Sequence, residues 1–568
     1  MAIISAGVIM NLVFAFLMAV VAFGVGVPEP PCVVGQIYAG EAAWQANLRP
    51  GDKILEIAGK KMEKFRDLQT AITLGSIDVE KGVPFRILRD GKELDITIKP
   101  GNSLGVFAIG VGGEYTTKLL PDQRTWLVFK RHAVIPGSAA DRAKPAFCNG
   151  DQIAQIDRAP IKNYAQINAE LARTVDRKIE VAVVRVEKYD TDGTPSTVIR
   201  RLTIPIEPDP TLGVGLVMKM GPVTAIQADS PAEAAGIKPG DRIVEPNGDP
   251  MTLPDRLRRM AGKTIKMKLE REKGKEPIAV SVRLREPTET VLSLFRDSPV
   301  AAPALGAAYR VLNEVDRVIP GSPADKADMK PGDVLVAAKL IAPGKEELQK
   351  LEVDPTEDLV SDASVDFSET DHNWPSFLNA LQDTLPGTTV ELSFLRTIDN
   401  KAVKQTVSMT TVASTEQFNP DRGFRFLPEM FVSRANSLGE MLSLGAARTL
   451  DDVTVVFRSV RAIGTGQVPL RGLSGPWGII EMALRAADEG KVKLLLFLTF
   501  LSANLAVLNF LPIPVLDGGH FVLLCYEGIN GKPASEGVQT VLAYVGLAFL
   551  LALMIWVIGL DSHLIPRH

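Results

Sequence analysis

The chain has 568 residues, of which 46% are hydrophobic and 23% charged, with a formal net charge of −4. A chain of this length is expected to hold several domains, and its weak negative charge gives no reason to expect a nucleic-acid partner. Many apolar residues combined with many charges predict a membrane protein with large aqueous domains. The cysteines Cys32, Cys148 and Cys525 have no metal-ligand spacing and are interpreted as ordinary apolar residues.

The first apolar stretch, Ala2–Pro28, contains no charged side chain and is long enough to span a bilayer. It lacks the basic start of a signal peptide, and its apolar run exceeds the usual length of about 7–15 residues. Residues 1–28 are therefore predicted to form a transmembrane helix. Gly7 and Asn11 form a G-x-x-x-N pattern, in which the small residue permits close helix approach and the asparagine needs a polar partner. Asn11 could equally be a helix-packing residue.

Residues 30–412 contain a pattern that occurs four times: small residues, a turn, then Gly-Asp and an apolar strand. The Gly-Asp pairs begin at Gly51, Gly150, Gly240 and Gly332. Their spacing, roughly 90–100 residues, is the size of a small domain. Helical segments are predicted after the apolar strand, such as Phe65–Leu74 and Trp374–Leu385, and strand pairs follow, such as Phe85–Leu88 with Leu94–Ile98.

This pattern resembles PDZ domains, four in tandem, which would be α+β units built as partly open β-barrels with helices. The predicted boundaries are 30–100, 101–207, 210–286 and 304–413. The resemblance implies that an extended peptide adds as a strand while loop amides hold its terminal carboxylate. The candidate loop residues are Leu104, Gly105, Val106 and Phe107 in the second copy, Leu212 and Gly213 in the third, and Leu305 and Gly306 in the fourth. Each copy could equally be a spacer that binds nothing.

Two features of this region depart from the common pattern. The first copy has the poorest loop, at Val33, Val34 and Gly35. The acidic segment Glu346–Asp371 is predicted to be a solvated loop inserted in the fourth copy.

Residues 436–490 are predicted to associate with the membrane surface. Apolar residues recur at helical spacing in Asn436–Ile463, which is charged enough to lie against a bilayer rather than cross it. A turn-rich joint, Gly472–Pro476, follows. Two further charge-free stretches, Leu494–Leu516 and Val538–Leu560, are long enough to span. They predict transmembrane helices over 491–528 and 536–561, and therefore a membrane core with three spanning helices.

The second of these three spans ends in the sequence N-F-L-P-I-P-V-L-D-G-G-H, from Asn509 to His520. Carboxylates within membranes are costly and usually functional. Proline-interrupted backbone is tolerated at membrane depth where it is buried in protein or lines a cavity. Asp517, placed after Pro512 and Pro514, therefore predicts a polar, water-accessible site within the bilayer. The alternative is that Asp517 only caps a helix.

The pattern N-x-x-P-x-P-x-L-D-G resembles the site-2 protease family of intramembrane zinc metallopeptidases, in particular the regulator-of-sigma-E type. The resemblance implies that Asp517 is a zinc ligand and that His520 has a supporting role. Residues expected to support the active site are Asn504, Asn509, Pro512, Pro514, Gly518, Gly7 and Asn11. The last two match a family motif, A-G-P-x-x-N, in which Val8 here replaces proline.

The family's other two zinc ligands are the histidines of H-E-x-x-H, whose glutamate is the general base. The five histidines of this chain are His132, His372, His520, His563 and His568. None begins an H-E pair, and no two are four residues apart. The chain as given is therefore expected to be inactive alone, with Met1 an internal start within a longer protein.

The leading hypothesis from the sequence is a zinc endopeptidase that cuts single-span membrane proteins such as anti-sigma factors. The resemblance implies a multi-pass protein of the bacterial inner membrane, with extracytoplasmic PDZ domains that filter substrates by size or read peptide carboxyl ends. The alternative is a non-catalytic membrane scaffold that keeps only peptide binding. A soluble periplasmic PDZ chaperone or protease is disfavoured by the three spans.

Overall fold

The computed structural model describes residues 6–74, 81–103, 106–121, 132–191, 194–272, 274–291, 297–351, 353, 363–367, 373–464, 475–532 and 534–561. The helices are α1 (Ala6–Val25), α2 (Ala42–Gln45), α3 (Phe65–Leu74), α4 (Ala139–Arg142), α5 (Tyr164–Arg173), α6 (Pro231–Ala234), α7 (Leu253–Arg258), α8 (Pro323–Lys326), α9 (Lys345–Lys350), α10 (Trp374–Gln382), α11 (Leu438–Gly464), α12 (Pro476–Asp488), α13 (Lys491–Phe510), α14 (Asp517–Asn530) and α15 (Glu536–Asp561).

The strands are β1 (Val27–Glu29), β2 (Val34–Ile37), β3 (Lys53–Ile57), β4 (Lys60–Lys61), β5 (Val83–Arg89), β6 (Lys92–Ile98), β7 (Gly101–Ser103), β8 (Val106–Ala108), β9 (Val111–Gly113), β10 (Tyr115–Leu119), β11 (Gln152–Ile156), β12 (Ala159–Pro160), β13 (Ile179–Thr191), β14 (Thr194–Ile206), β15 (Pro210–Gly213), β16 (Leu216–Ile226), β17 (Arg242–Glu245), β18 (Thr264–Glu270), β19 (Ile278–Arg283), β20 (Val300–Ala302), β21 (Ala307–Val318), β22 (Val334–Ile341), β23 (Ala363–Asp366), β24 (Thr389–Ile398), β25 (Lys401–Thr410), β26 (Val412–Phe418), β27 (Phe426–Pro428) and β28 (Phe431–Ser433).

Three helices of the described chain are long and apolar enough to cross a membrane: α1, α13 and α15 over Glu536–Leu560. This confirms the prediction of three apolar helices of spanning length. The prediction of a single helix over 491–528, the second of the three spans, is wrong. Helix α13 ends at Phe510, and a separate helix, α14, begins at Asp517. Pro512 and Pro514 explain the break, since proline has no amide hydrogen to continue the helix.

The apolar helices pack through small residues. The buried positions of α1 include Ala15, Ala19 and Ala22, and those of α13 include Ala503 and Ala506. Small side chains let helix backbones approach closely, which is how helices associate in lipid. The amphipathic helix α11 also lies against α1, because a Cβ added at Gly445 would come within 3.0 Å of the Val20 backbone nitrogen.

Each of the four Gly-Asp repeats contains the same buried ion pair. The aspartates Asp52, Asp151, Asp241 and Asp333 are at most 2% exposed. Each accepts two hydrogen bonds of 2.6–2.8 Å from one guanidinium group, of Arg89, Arg185, Arg271 and Arg396 respectively. Each also accepts a hydrogen bond from the backbone amide three residues earlier. The four sequence repeats are therefore four copies of one structural arrangement.

Strand pairing and core packing divide the aqueous region into four units, which differ in extent from the predicted domains. We define unit 1 as residues 30–113, unit 2 as residues 115–206 with 419–428, unit 3 as residues 222–309, and unit 4 as residues 210–221 with 310–418. Units 3 and 4 share one hydrophobic core and the long paired strands β16 and β21. The sheets are open among the described strands, so no unit has the closed form of a barrel.

Units 3 and 4 together are inserted into unit 2. The chain leaves unit 2 after β14, and β15 pairs with β26 where the inserted region begins and ends. The returning segment places Phe424 and Phe426 in the core of unit 2. Arg422, which is fully buried, donates hydrogen bonds to four backbone carbonyls on unit 2 and the start of the insert, those of Thr174, Arg177, Ile206 and Glu207. Unit 2 is therefore built from two segments of the chain that are far apart in sequence, with units 3 and 4 between them.

The local predictions for the repeats are largely confirmed. The helix predicted over Phe65–Leu74 is α3, and that over Trp374–Leu385 is α10, which ends three residues earlier, at Gln382. For the part of Glu346–Asp371 that the structure describes, the predicted solvent exposure of the acidic side chains is confirmed at Glu346 and Glu347, but the prediction of a loop is wrong. That part contains α9 and the strand β23, which pairs with β22. Leu348 and Val353 anchor it by packing on Leu385, which charge composition alone does not reveal.

Candidate functional site

The backbone between α13 and α14 forms a short irregular segment, Leu511–Leu516, at the end of an apolar helix. The amide of Leu511 donates to the carbonyl of Leu508, and the amide of Leu516 donates to the carbonyl of Ile513. Val515 has a φ of 86°, a strained value for a β-branched residue. Such strain persists where surrounding structure imposes it and is concentrated at functional sites.

Glycines hold this segment by allowing close backbone contacts. A Cβ added at Gly518 would lie 2.3 Å from the Leu511 carbonyl oxygen, and one at Gly519 would lie 2.4 Å from the Ile513 oxygen. A Cβ at Gly546 of α15 would lie 2.1 Å from the Pro514 oxygen. Gly518 was among the predicted support residues. Gly519 and Gly546 were not, although a Gly-Gly pair after the aspartate and a glycine inside an apolar span are the signals that could have indicated them.

Asp517 is half-buried at the first turn of α14 and faces the first apolar helix. A Cβ added at Gly7 would be 3.0 Å from Oδ2 of Asp517. The structure thus brings together Gly7 and Asp517, which are 510 residues apart in sequence. Asn11 lies four residues after Gly7, on the same face of α1 and one turn further along.

Four polar side chains on or beside the apolar helices have no hydrogen-bond partner within the described residues: Asn11, Asn504, Asn509 and Asp517. All four are half-buried. In α13, Asn504 follows the buried Ala503, and Asn509 lies in the last turn before the break. Unpaired polar groups in an apolar environment are costly, so their presence indicates a place for water or for a polar ligand. His520, by contrast, is exposed.

A zinc ion needs three protein ligands at a catalytic site. Within the described residues no three His, Cys, Asp or Glu side chains lie close enough together to hold a metal ion. Asp517, whose carboxylate adjoins a position that only glycine leaves open, fits the role of one ligand. The described residues therefore do not supply a complete zinc site.

The predicted peptide-binding loops are distributed differently from the prediction. Four X-Gly pairs occupy equivalent places: Ile109–Gly110 in unit 1, Arg422–Gly423 in unit 2, Leu305–Gly306 in unit 3 and Val214–Gly215 in unit 4. In each pair, the carbonyl oxygen of the first residue accepts a hydrogen bond from a backbone amide in a short helix, α2, α4, α6 or α8. The donating amides are those of Ala43, Ala140, Ala232 and Ala324, respectively. The pair therefore belongs to the unit whose helix it contacts.

This pairing changes three assignments. Leu305 and Gly306, predicted for the fourth copy, lie in unit 3. Leu212 and Gly213, predicted for the third, lead into the loop of unit 4. In the loop predicted for the second copy, Val106 and Phe107 lie on β8 of unit 1, and Leu104 and Gly105 lie outside the described residues. The loop of unit 2, Arg422–Gly423, was missed because the sequence places it after the inserted units.

Comparison with known proteins identifies the family of this chain. Residues 1–553 match Peptidase family M50. The chain is 30% identical over 248 residues to Protease RseP of Photorhabdus luminescens, which covers 42% of this chain and 95% of that protein. It is 31% identical over 183 residues to the regulator of sigma-W protease RasP of Bacillus subtilis, covering 32% of this chain and 42% of RasP. It is 38% identical over 122 residues to the regulator of sigma E protease of Haemophilus influenzae, covering 22% and 28%.

The three apolar helices thus indicate a membrane protein, in which a broken helix presents an aspartate to the first apolar helix. The chain belongs to Peptidase family M50. Its relatives include proteins named as zinc metalloproteases, among them zinc metalloprotease RasP of Shouchella clausii, 29% identical over 234 residues, or 41% of this chain. Except for the Photorhabdus protein, the matches cited here span less than half the length of the relatives.

Proposed function

We propose that this chain is part of an intramembrane zinc metalloendopeptidase that cuts single-span membrane proteins, and that Asp517 is one of its zinc ligands. The observation that carries the proposal is the Asp517 carboxylate, set at a proline-broken helix junction, facing Gly7 and unpaired among the described residues. Membership of Peptidase family M50 supports it. Two further ligands would come from an H-E-x-x-H element, which these 568 residues do not contain.

The residues of this chain would act mainly on the substrate backbone. A helical substrate hides its peptide carbonyls in its own hydrogen bonds, so it must open before it is cut. Asn509, and Asn504 earlier on α13, would offer amide groups to the opened backbone. The glycine contacts of Gly518, Gly519 and Gly546 would keep Asp517 fixed while this exchange occurs. Zinc, when bound, supplies Lewis acidity to the hydrolysis.

The proposed substrates are anti-sigma factors, because relatives carry the names of sigma-W and sigma-E regulators. We place the chain in a bacterial inner membrane, with the four units on the extracytoplasmic side. The units would act as PDZ domains that filter substrates by size or bind their carboxyl ends.

The decisive experiment is cleavage of a tagged single-span anti-sigma factor in cells that carry this chain together with its H-E-x-x-H element. Cleavage that stops with Asp517→Asn, together with loss of zinc from the purified protein, supports the proposal. Unchanged cleavage with unchanged zinc content in Asp517→Asn removes the ligand assignment.

A second candidate is a non-catalytic membrane scaffold that binds peptides. The observation that favours it is the incomplete ligand set in the described residues. If the coding DNA contains no H-E-x-x-H element in frame and no separate polypeptide supplies one, the scaffold is the better description.

A further inference from the structure

Units 3 and 4 carry the same loop in the same place, so they can be compared directly. Gly306 has a φ of 77° and Gly215 a φ of 85°, both in the left-handed region that favours glycine. A Cβ at Gly306 would lie 2.2 Å from the Cβ of Ser230, and a Cβ at Gly215 would lie 2.2 Å from the Cβ of Ser322. Each serine caps the helix that the loop contacts. The two loops therefore hold their amides in equivalent positions.

In unit 3 the place beside the loop is filled by the chain itself. Strand β20 pairs antiparallel with the start of β21, Val300 opposite Tyr309 and Ala302 opposite Ala307. The carbonyl oxygen of Ala302 accepts hydrogen bonds from the loop amides of Leu305 and Gly306, at 2.9 and 2.8 Å. All three residues of β20 are buried, and α7 packs against the strand. The loop amides and the adjacent strand edge of unit 3 are thus already satisfied.

In unit 4 the corresponding place is open. The strand that precedes the loop, β15, pairs with β26 instead of folding back on β16. β16 is an edge strand of its sheet. The amides of Val214 and Gly215 have no hydrogen-bond partner within the described part of the chain. Two unpaired amides beside an unpaired strand edge are the complement of an extended peptide that ends in a carboxylate.

A cavity of about 790 Å³ adjoins this edge. Leu216 and Val217 of β16 line one side, and Trp374 and Leu378 of α10 line the other. The exposed Lys326 lies at the rim, on the helix that the loop contacts. The buried Nε1 of Trp374 also has no partner among the described residues. The cavity therefore offers an apolar lining for a side chain and a positive charge for a carboxylate.

We propose that unit 4 is the open peptide acceptor of the unit 3–unit 4 pair, and that β20 closes unit 3 by occupying its groove as a built-in ligand. The occupant of unit 4 is an extended peptide with a free carboxyl terminus and an apolar last side chain. It adds antiparallel to β16, with its carboxylate on the amides of Val214 and Gly215. This deepens the peptide-binding role in the proposed function and rests on it, but it does not require proteolysis.

The test is photo-crosslinking to the whole protein in detergent micelles. The probe is a ten-residue peptide ending in a free-acid valine, with a benzophenone residue two positions before the end. Crosslinks mapped by mass spectrometry are expected on α10 and residues 212–217 and not on α7 or residues 305–309. The same peptide with a carboxamide end is expected to bind unit 4 at least 10-fold more weakly.

Two matched variants locate the charge contribution. Lys326→Glu reverses an exposed charge at the rim of unit 4, and we expect it to weaken crosslinking there by about 1.5- to 5-fold, the range of one exposed ionic contact. Ala234→Glu changes the equivalent exposed position of unit 3 and should leave crosslinking unchanged. Equal crosslinking of units 3 and 4 in the unmodified protein, or equal binding of acid and amide peptides, overturns the proposal.

A third variant tests closure of unit 3. Val300→Asp with Ala301→Asp places two charges on the buried β20 and should displace it, so crosslinks appear on α7 in addition to α10. If this variant loses the fold, judged by loss of the unit 4 crosslinks, proteolysis at residues 297–303 in the unmodified protein takes its place. Those residues should resist cleavage, and ready cleavage there contradicts a closed groove.

Cleavage of a membrane substrate without peptide capture by unit 4 refutes this inference alone, whereas peptide capture without substrate cleavage refutes only the proteolytic function.

Discussion

The carboxylates of the four Gly-Asp repeats and the carboxylate of Asp517 have opposite surroundings. In the four units, each buried Gly-Asp carboxylate accepts two hydrogen bonds from an arginine and one from a backbone amide. In the apolar helices, the Asp517 carboxylate and three asparagine amides have no partner within the described residues. An unpaired polar group costs more in an apolar environment than in water, so the unpaired groups lie on the helices where they are most costly.

The contrast indicates what each group is for. A carboxylate whose hydrogen bonds are all made within the fold holds that fold together. One that is left unpaired within an apolar region is retained for a ligand or a reaction. Substitutions should therefore affect folding in the units and activity in the helices.

The largest effect is expected for Asp517→Asn in the active protein. The amide cannot serve as an anionic zinc ligand, so substrate cleavage should fall to background, and zinc content should fall with it. The matched control is Glu527→Gln, ten residues further along α14, which should leave cleavage unchanged. If both variants lose cleavage equally, α14 is sensitive to any loss of charge and the contrast is lost.

Next in size is Arg396→Met in unit 4, which leaves the buried Asp333 without its guanidinium partner. Breaking a buried pair from one side costs roughly 3–5 kcal/mol. Hydrogen exchange measured by mass spectrometry should show faster opening of β22 and β24, with unit 1 unchanged. The control, Lys275→Met, removes an exposed pair with Glu272 and should have no measurable effect. Slow exchange in Arg396→Met would mean that the pair is not needed for the fold.

Asn509→Leu should lower turnover by about 10- to 100-fold, since an unpaired buried polar group costs roughly 1–3 kcal/mol. Zinc content should be retained. The loss should be greatest for substrate helices that resist unwinding and smaller for those with glycine or proline near the cut. Equal losses on both kinds of substrate would make Asn509 a packing residue.

Gly7→Ala should lower turnover by about 10-fold, because the new Cβ lies 3.0 Å from Oδ2 of Asp517 and shifts that carboxylate. Gly528→Ala is the control, since a Cβ there meets nothing within 4 Å. Full activity in Gly7→Ala would show that the Asp517 carboxylate can move without loss.

Local features of the fold were predictable from sequence, and the long-range pairings were not. Helical periodicity locates α3 and α11, and uninterrupted apolar runs locate the three spanning helices, because both depend on neighbouring residues. The X-Gly loops were assigned to the wrong units because a Gly in a left-handed turn carries no sign of which helix it contacts. Likewise, Asp517 could be singled out from its motif, but its neighbour Gly7 depends on α1 packing beside the end of α13.

The smallest predicted effect concerns Glu114, which lies between β9 of unit 1 and β10 of unit 2. Unlike the Gly-Asp carboxylates, this carboxyl group has no arginine partner within the described part of the chain that favours its charged form. Burial, and to a lesser degree the nearby Glu429, raises the pKa of Glu114 to about 7. A raised carboxyl pKa means that the folded state holds the proton more tightly than the unfolded state. Stability should therefore fall as pH rises from the unfolded pKa, about 4.3, to about 7, and should level off above that. The apparent melting temperature should be a few degrees lower at pH 8 than at pH 5.

Glu114→Gln, which cannot ionise, should reduce this dependence of the melting temperature on pH, while Glu93→Gln on the exposed face of β6 should not. A slope that persists unchanged in Glu114→Gln would assign the pH dependence to another group.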